Sequence, residues 1–209
     1  MKHRIRISIV ALAIVLTTAT AAFAGPPTEA IRQTVDSVLA IMKKPEMDNA
    51  ATRPALLLQV EEKVLAIFDF RAFSSSAVGP KWRTFTEPQR QQFIDAFTEL
   101  LRATYIEKMS GYNGENVNYL REIYSTDKTR AVVRTSVLMD GKEVPVDYML
   151  NNTNDSWKVY NVRIETLGLA ENYHEQFKDV LLKGNVEELV SLVRKRADHV
   201  RKENQAVKK

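Results

Sequence analysis

The sequence predicts an α+β domain: helices first, a four-stranded antiparallel meander next, then helices packed back across the sheet. Three observations carry that prediction. Apolar residues recur at helical spacing up to about residue 110, alternate between Val117 and Glu165, and return to helical spacing from Ala170. Turn-forming residues cut the alternating stretch into four short pieces. The chain of 209 residues suits one good-sized domain, and 25–209 are expected to form it.

The N-terminus carries Lys2, Arg4 and Arg6, an uncharged apolar or small-residue run over 7–22, and Ala22-Phe23-Ala24 ahead of Gly25-Pro26. That order is a secretory signal peptide, expected to be cut after Ala24, which sets residues 1–24 apart from the domain. The chain has no Cys, hence no lipid-anchoring cysteine, no disulfide and no thiolate metal site. No later run is long and apolar enough to span a membrane. A soluble product in the bacterial periplasm is expected. The 30 basic and 26 acidic residues give a net charge of +4. Without Lys2, Arg4 and Arg6 the balance is 27 to 26, or +1. Near-neutrality argues against nucleic acid as the main partner, because binding phosphates needs a net basic face.

The first helix is predicted over 28–44, with Ile31, Val35, Val38 and Met42 as its stripe and Pro45 as its stop. A polar linker over 46–52 precedes Pro54, which suits a first helical turn. Leu57, Val60, Val64 and Phe68 make a second stripe. Asp69 is placed to cap a short helix carrying Phe70 and Phe73, ended by the serines at 74–76 and Gly79-Pro80. Thr86 and Gln89 form a capping box. The helix it opens, over 87–110, buries Phe93, Phe97, Leu100, Leu101 and Tyr105 and ends at Gly111.

A strand over 117–125 follows, and the next one puts Ala131, Val133, Thr135 and Val137 on one face. The third presents Val144, Val146, Tyr148 and Leu150; the fourth, over 157–165, presents Tyr160, Val162 and Ile164. Turns at 127–129, Asp140-Gly141 and 151–155 join them. From Ala170 a helix sets Tyr173 and Phe177 one turn apart on one face, and Gly184 stops it. Asn185 and Glu188 cap a last helix carrying Val186, Leu189, Val190, Val193 and Val200, with a polar tail over 201–209 expected to fray.

Catalytic signals are thin. His3 leaves with the signal, His174 is read onto the wet side of its helix, and His199 lies on a charged helix. None has a partner at zinc-site spacing. The serines at 74–76 lack a nucleophile elbow, Asp147 alternates outward beside Tyr148, and Asp140-Gly141 lacks the further acids of a calcium loop. No glycine-rich phosphate loop occurs. No catalytic residue, metal ligand or cofactor is assigned. What remains is apolar surface: Phe93, Phe97, Leu101, Tyr105, Tyr173 and Phe177 on helices, and Val133, Val146, Tyr148, Tyr160, Val162 and Ile164 on strands. Either these side chains pack on one another as core, or helices and sheet stand apart around an apolar pocket. Composition does not separate the two.

The stretch over 157–177 carries a resemblance. Trp157, Lys158, Val159, Tyr160, Val162, Asn172, Tyr173, Gln176 and Phe177 match a W-K-V-Y-D-V strand leading into N-Y-x-x-Q-F. The match extends upstream through Phe68-Asp69-Phe70, Gly79, Trp82, Arg83, Gln89–Phe93, Phe97, Leu100, Tyr105, Gly111-Tyr112, Arg134 and Pro145-Val146-Asp147-Tyr148. In these residues the chain resembles the MlaC-like family, the toluene-tolerance (Ttg2-type) periplasmic phospholipid-binding proteins. It departs from the pattern with Asn161 for Asp, Thr166 for Gly, Gly168 for Ser and His174 for Arg, which bears on charged roles there and leaves the apolar positions untouched.

The resemblance implies half of a nuclear-transport-factor-like (NTF2-like) fold with extra helices, holding lipid tails in a deep pocket. It implies a monomeric phospholipid shuttle that exchanges lipid with an outer-membrane lipoprotein–porin complex and an inner-membrane ABC transporter bearing an MCE-domain ring, maintaining outer-membrane lipid asymmetry. Two acyl chains of roughly 14 methylenes each represent on the order of 20 kcal/mol of apolar burial, so passage through water needs a carrier. Phe97, Leu101, Tyr105, Val133, Tyr148, Val162, Tyr173 and Phe177 are expected to touch the tails. Arg134 belongs either near the pocket mouth or on a solvated strand face. The alternatives are a carrier of another hydrophobic cargo, such as a hopanoid or a lipoprotein, and an NTF2-like enzyme. The enzyme would need a buried Asp, His and Tyr set, for which the chain offers scattered singles.

Overall fold

The computed structural model describes residues 25–106, 117–139 and 141–207. Helices α1 (Pro26–Met42) and α2 (Arg53–Ile67) pack as a pair, joined through a 3-10 turn at Pro45–Asp48. Val38, Ile41, Met47, Leu56 and Val60 are buried between them. Helix α3 (Phe70–Val78) starts at Asp69, whose carboxylate accepts from the Ala72 amide at 2.9 Å, as the capping pattern predicts. Helix α4 (Glu87–Leu101) opens on the predicted capping box, Thr86 with Gln89. It continues as a π-helical turn over Arg102–Ile106, and the rest of the predicted 87–110 helix and Gly111 lie outside the described residues.

The sheet comprises β1 (Val117–Tyr124), β2 (Arg130–Met139), β3 (Lys142–Thr153), β4 (Ser156–Ile164) and a two-residue β5 (Leu167–Gly168). It is antiparallel in the order β1-β2-β3-β4-β5, so the predicted meander gains a fifth strand. Glu165 takes φ 54° in the turn that folds β5 back on β4. The β3–β4 turn is tighter than the predicted 151–155 loop: β3 runs to Thr153, and Asn154 and Asp155 both adopt positive φ, as a two-residue hairpin turn requires. Helices α5 (Leu169–Lys183) and α6 (Val186–Val207) close the chain. Asn185 caps α6 by accepting from the Glu188 amide at 2.8 Å.

One face of the sheet is apolar. Ala131, Val133, Val137, Val146, Leu150, Trp157, Val159 and Val162 form a cluster with Ile31, bringing α1 against it. Thr135 is buried in the same row, its hydroxyl donating to the Val146 carbonyl at 2.9 Å. The opposite face carries a cross-strand row of Arg121, Arg134, Asp147 and Arg163, directly paired in register. A second cluster belongs to α3–α6 and includes Phe73, Trp82, Phe93, Phe97, Leu100, Tyr173, Phe177, Leu189 and Val193.

Several expectations give way to tertiary geometry. A bulge between Met149 and Leu150 pairs Asn161 with Met149 but Val159 with Leu150, so β4 changes phase at Tyr160. Trp157, Val159 and Val162 turn inward, Asn161 is buried, and Ile164 is 37% exposed; the predicted face of Tyr160, Val162 and Ile164 does not hold. Phe68 is no part of the α2 stripe: it leaves the helix and bridges to Val159. The predicted stop at Gly79-Pro80 holds, with Gly79 as the C-cap, but the serines at 74–76 lie within α3, which runs to Val78 and buries Ser74 completely. The tail does not fray at Arg201. Helix α6 continues to Val207, with Arg201 on Glu99 at 3.2 Å and Asn204 donating to the Ala103 carbonyl at 2.9 Å.

His174 is half-buried rather than on a wet face. Its ring lies against the end of α3, where Nδ1–H donates to the Ala77 carbonyl at 3.0 Å. Gly79 ends α3 at φ 71°, ψ −145°, a region reserved for glycine, and a Cβ there would lie 2.9 Å from His174 Cε1. Gly79→Ala is expected to lower unfolding free energy by about 2–3 kcal/mol in urea titrations. His174→Ala in the same chain should recover only the steric part; full recovery would show that the backbone carries no strain.

Candidate functional site

The eight residues expected to line a pocket divide between the two apolar clusters. Phe97, Leu101, Tyr173 and Phe177 lie in the helical cluster, with Tyr105 packed against it. Val133 and Val162 lie in the sheet cluster, with Tyr148 packed against that. Phe97, Phe177 and Val133 are 0%, 0% and 1% exposed, whereas Tyr105 and Tyr148 are only half-buried.

Phe97 is the hub of the helical cluster. Its ring centroid lies 5.6 Å from Phe73, 5.5 Å from Phe93, 4.9 Å from Tyr173 and 5.8 Å from Phe177. Helical spacing explains the convergence: Phe93 and Phe97 are one turn apart on α4, and Tyr173 and Phe177 one turn apart on α5. The Tyr173 and Phe177 rings meet Phe97 edge-on, the favourable arrangement for aromatic quadrupoles.

The two clusters meet along a seam that sequence reading missed. Leu169 packs against both. Phe68 packs on the sheet cluster and stacks on Phe70 at 5.6 Å, with Phe73 at 6.1 Å. Phe68, Phe70 and Leu169 are half-buried, so apolar surface stays available along this seam; Tyr105 and Tyr148, each packed on one cluster, are half-buried as well. The signal that could have found it is the Phe68-Asp69-Phe70 triplet, whose alternation around a capping Asp fits a strand-to-helix junction better than the end of a helical stripe.

The π-helical turn over Arg102–Ile106 sets the upper part of the helical wall. Arg102 leaves it to pair with Glu61 of α2 at 2.5 Å, tying α2 to the end of α4. Glu61 is a largely buried carboxylate, and Arg102 neutralises it. Tyr105 projects from the same turn toward Tyr173. Burial, chiefly, with the Tyr173 oxygen close by, drives the Tyr105 phenol well above its ordinary range. Burial likewise raises Tyr173, against the lowering effect of hydrogen bonds from Thr104 and Tyr105. Both hydroxyls therefore stay neutral, suiting an apolar environment.

Arg134 lies on the polar face of the sheet, paired with Asp147 at 3.6 Å, and not among the apolar side chains. Asp147 also faces Arg163 at 4.0 Å, pointing outward as the alternation predicts. Asn161 has a structural task. Its Oδ1 accepts from the Ala170 amide at 3.0 Å and so caps α5 from within β4, while Nδ2 donates to Glu171 at 2.9 Å. A groove of about 280 Å³ between α4 and α6 is lined by Gln92, Glu187, Arg194, Lys195 and Asp198 among others, and includes none of the eight predicted residues.

Similarity to known proteins follows this architecture. The family described as MlaC protein matches residues 32–195. A toluene tolerance protein, ttg2D of Pseudomonas putida, is 25% identical over 161 residues, 76% of this chain and 74% of its own. The intermembrane phospholipid transport system binding protein MlaC of Haemophilus influenzae is 18% identical over 142 residues, 66% of each chain. A phospholipid-binding protein from Ralstonia solanacearum, solved in complex with a phospholipid, superposes with a TM-score of 0.73 at 31% identity, covering 84% of this chain and 99% of that one.

The tyrosine pair sets an alkaline limit to stability. Unfolded tyrosines ionise near pH 10, while Tyr105 and Tyr173 stay protonated in the fold, so above about pH 10 the folded state holds more protons than the unfolded one. The unfolding free energy from urea titrations should be insensitive to these two groups below that pH and fall above it, by up to about 1.4 kcal/mol per pH unit for each tyrosine. Tyr105→Phe should make the decline shallower; an unchanged slope would remove Tyr105 from this account.

Proposed function

The chain belongs to the MlaC protein family, and on that premise we propose that it is an exported phospholipid carrier, acting by binding and release without a covalent step. The observation that carries this reading is the match, over nearly the whole of its length, to a chain solved in complex with a phospholipid. The apolar seam between sheet and helices supports it. In this reading the signal is cut after Ala24 and the mature protein works in the periplasm. It receives and delivers lipid at an inner-membrane MCE-domain ABC transporter and an outer-membrane lipoprotein–porin complex.

The acyl chains then run along the seam, against the half-buried Tyr105 and Tyr148 and the neighbouring Phe68, Phe70 and Leu169. Leu101, Val162 and Tyr173, each between 5% and 7% exposed, form the next part of the wall. Phe97, Phe177 and Val133 have almost no free surface and reach the tails only as neighbouring side chains move aside. Apolar contact of this kind contributes about 25 cal/mol per Å² buried, so a site without charged groups can hold a lipid.

Native mass spectrometry on protein from a periplasmic extract, followed by lipid extraction, tests the cargo. A stoichiometric phospholipid is expected. Another co-purified lipid would change the cargo, and a chain still empty after incubation with labelled phospholipid liposomes would overturn the carrier reading. Tyr148→Ala and Tyr105→Ala should cut retention of labelled phospholipid several-fold while the chain stays folded. Phe97→Ala is instead expected to cost about 3–5 kcal/mol of stability, its binding defect tracking unfolding.

A further inference from the structure

Helix α1 has no side-chain cap of its own. Gly25 holds the N-cap position, and the cap is supplied by Glu122, near the end of β1. Glu122 Oε2 accepts from the Thr28 amide at 2.8 Å and from the Thr28 hydroxyl at 2.5 Å. Thr28 is buried by this contact, which pins the start of α1 to the edge of the sheet. The other carboxylate oxygen, Oε1, is turned toward Gly25. A Cβ built on Gly25 would collide with it and would lie 2.8 Å from the Tyr124 hydroxyl. The Gly25 nitrogen shares a Cα with that position, so it lies within about 4.5 Å of Oε1.

Signal cleavage after Ala24 changes the chemistry at this point. In the precursor the Gly25 nitrogen is a neutral amide; in the processed chain it is an ammonium. A positive charge at a helix N-terminus is opposed by the helix dipole unless an anion faces it. Glu122 is that anion: Oε2 accepts from Thr28, the Tyr124 hydroxyl also donates to the carboxylate, and Oε1 is directed at Gly25. We infer that removal of residues 1–24 creates an ion pair between the new Gly25 α-amine and Glu122, so that processing itself completes the cap of α1 on β1. The inference rests on the export reading above. It assigns Gly25 two tasks: a small residue for cleavage, and the one residue type that leaves room for the carboxylate. The other group close to Gly25 is the Tyr124 hydroxyl from β1; Glu29, the acid in the first turn of α1, is engaged by Gln33 at 3.0 Å.

The test begins with the intact mass of the exported protein. Its full-length mature form is then compared with the same chain carrying two extra residues before Gly25, each with Glu122 and with Glu122→Gln. The amide side chain keeps an oxygen for Thr28 and removes the charge. Acylation of the α-amine at pH 7 by a small activated ester, followed by peptide mapping, is expected to be about tenfold slower in the mature protein than in its Glu122→Gln variant, since a paired amine titrates about one unit higher. Glu122→Gln should lower the melting temperature more in the mature chain than in the extended one. A chain that keeps residues 1–24 would overturn the export reading and this inference together, and a processed chain that starts elsewhere than Gly25 would overturn this inference alone. A Gly25 start with equal acylation rates for the mature protein and its Glu122→Gln variant would overturn this inference alone.

Discussion

The hydrogen bond from the Asp69 amide to the Val159 carbonyl, 2.8 Å long, joins the two halves of the molecule. It continues the bridge between Phe68 and Val159 along the edge of β4 that β5, pairing only with Arg163 and Ile164, leaves free. Asp69 then spends both carboxylate oxygens. Oδ1 caps α3 through the Ala72 amide, and Oδ2 accepts from Asn151 of β3 at 2.9 Å. One residue thus sets where the helical layer begins, how it lies against the strand edge, and how it is tied to the neighbouring strand. The flanking rings follow: Phe68 is held over the sheet cluster while Phe73, four residues after Asp69, enters the helical cluster.

Packing on either side of this junction stays separate. A single merged core would bury all apolar side chains equally. Here the helical cluster is satisfied internally by rings converging on Phe97, and the sheet cluster by its own strands and α1. The contact between them is left to half-buried side chains. Native cores pack as densely as organic crystals, so a protein that must admit an apolar guest has to keep the guest's surface out of the packed clusters. In the carrier reading proposed above, two clusters joined at a backbone junction are what would meet that requirement. The Arg102–Glu61 pair holds α2 to the end of α4 through an ion pair.

Polar side chains in this fold do positional work at element ends. Asn161 caps α5 from a strand, Glu122 caps α1 from another, and His174 satisfies a carbonyl at the end of α3. All three act across long separations in sequence or between elements. Asn161 and Glu122 serve helix starts that have no side-chain cap of their own, and His174 adds to the Gly79 cap at the end of α3. Asn161 shows why its residue type matters: with Glu171 2.9 Å from Nδ2, an amide supplies a donor where a carboxylate would face another carboxylate.

Local chemistry determined much of this protein from sequence alone. The helix starts at Asp69, Thr86 and Asn185, the change of period at Val117, the inward rows of β2 and β3 and the outward Asp147 all depend on residues a few positions apart, and each was legible. The fourth strand's facing, the fifth strand, the burial of Ser74 within α3 and the persistence of α6 were not. A bulge costs one residue of register and inverts every later side chain, yet it is set by the partner strand. Ser74 is buried inside α3 because neighbouring helices cover it, and α6 outlasts its apolar stripe because Arg201 and Asn204 find partners on α4 and the turn after it. The aromatic positions behaved likewise. Their spacing determined that Phe97, Tyr173 and Phe177 share a buried face. Only the tertiary structure decided which rings are sealed and which keep free surface, because exposure depends on what the opposite element brings to within contact distance.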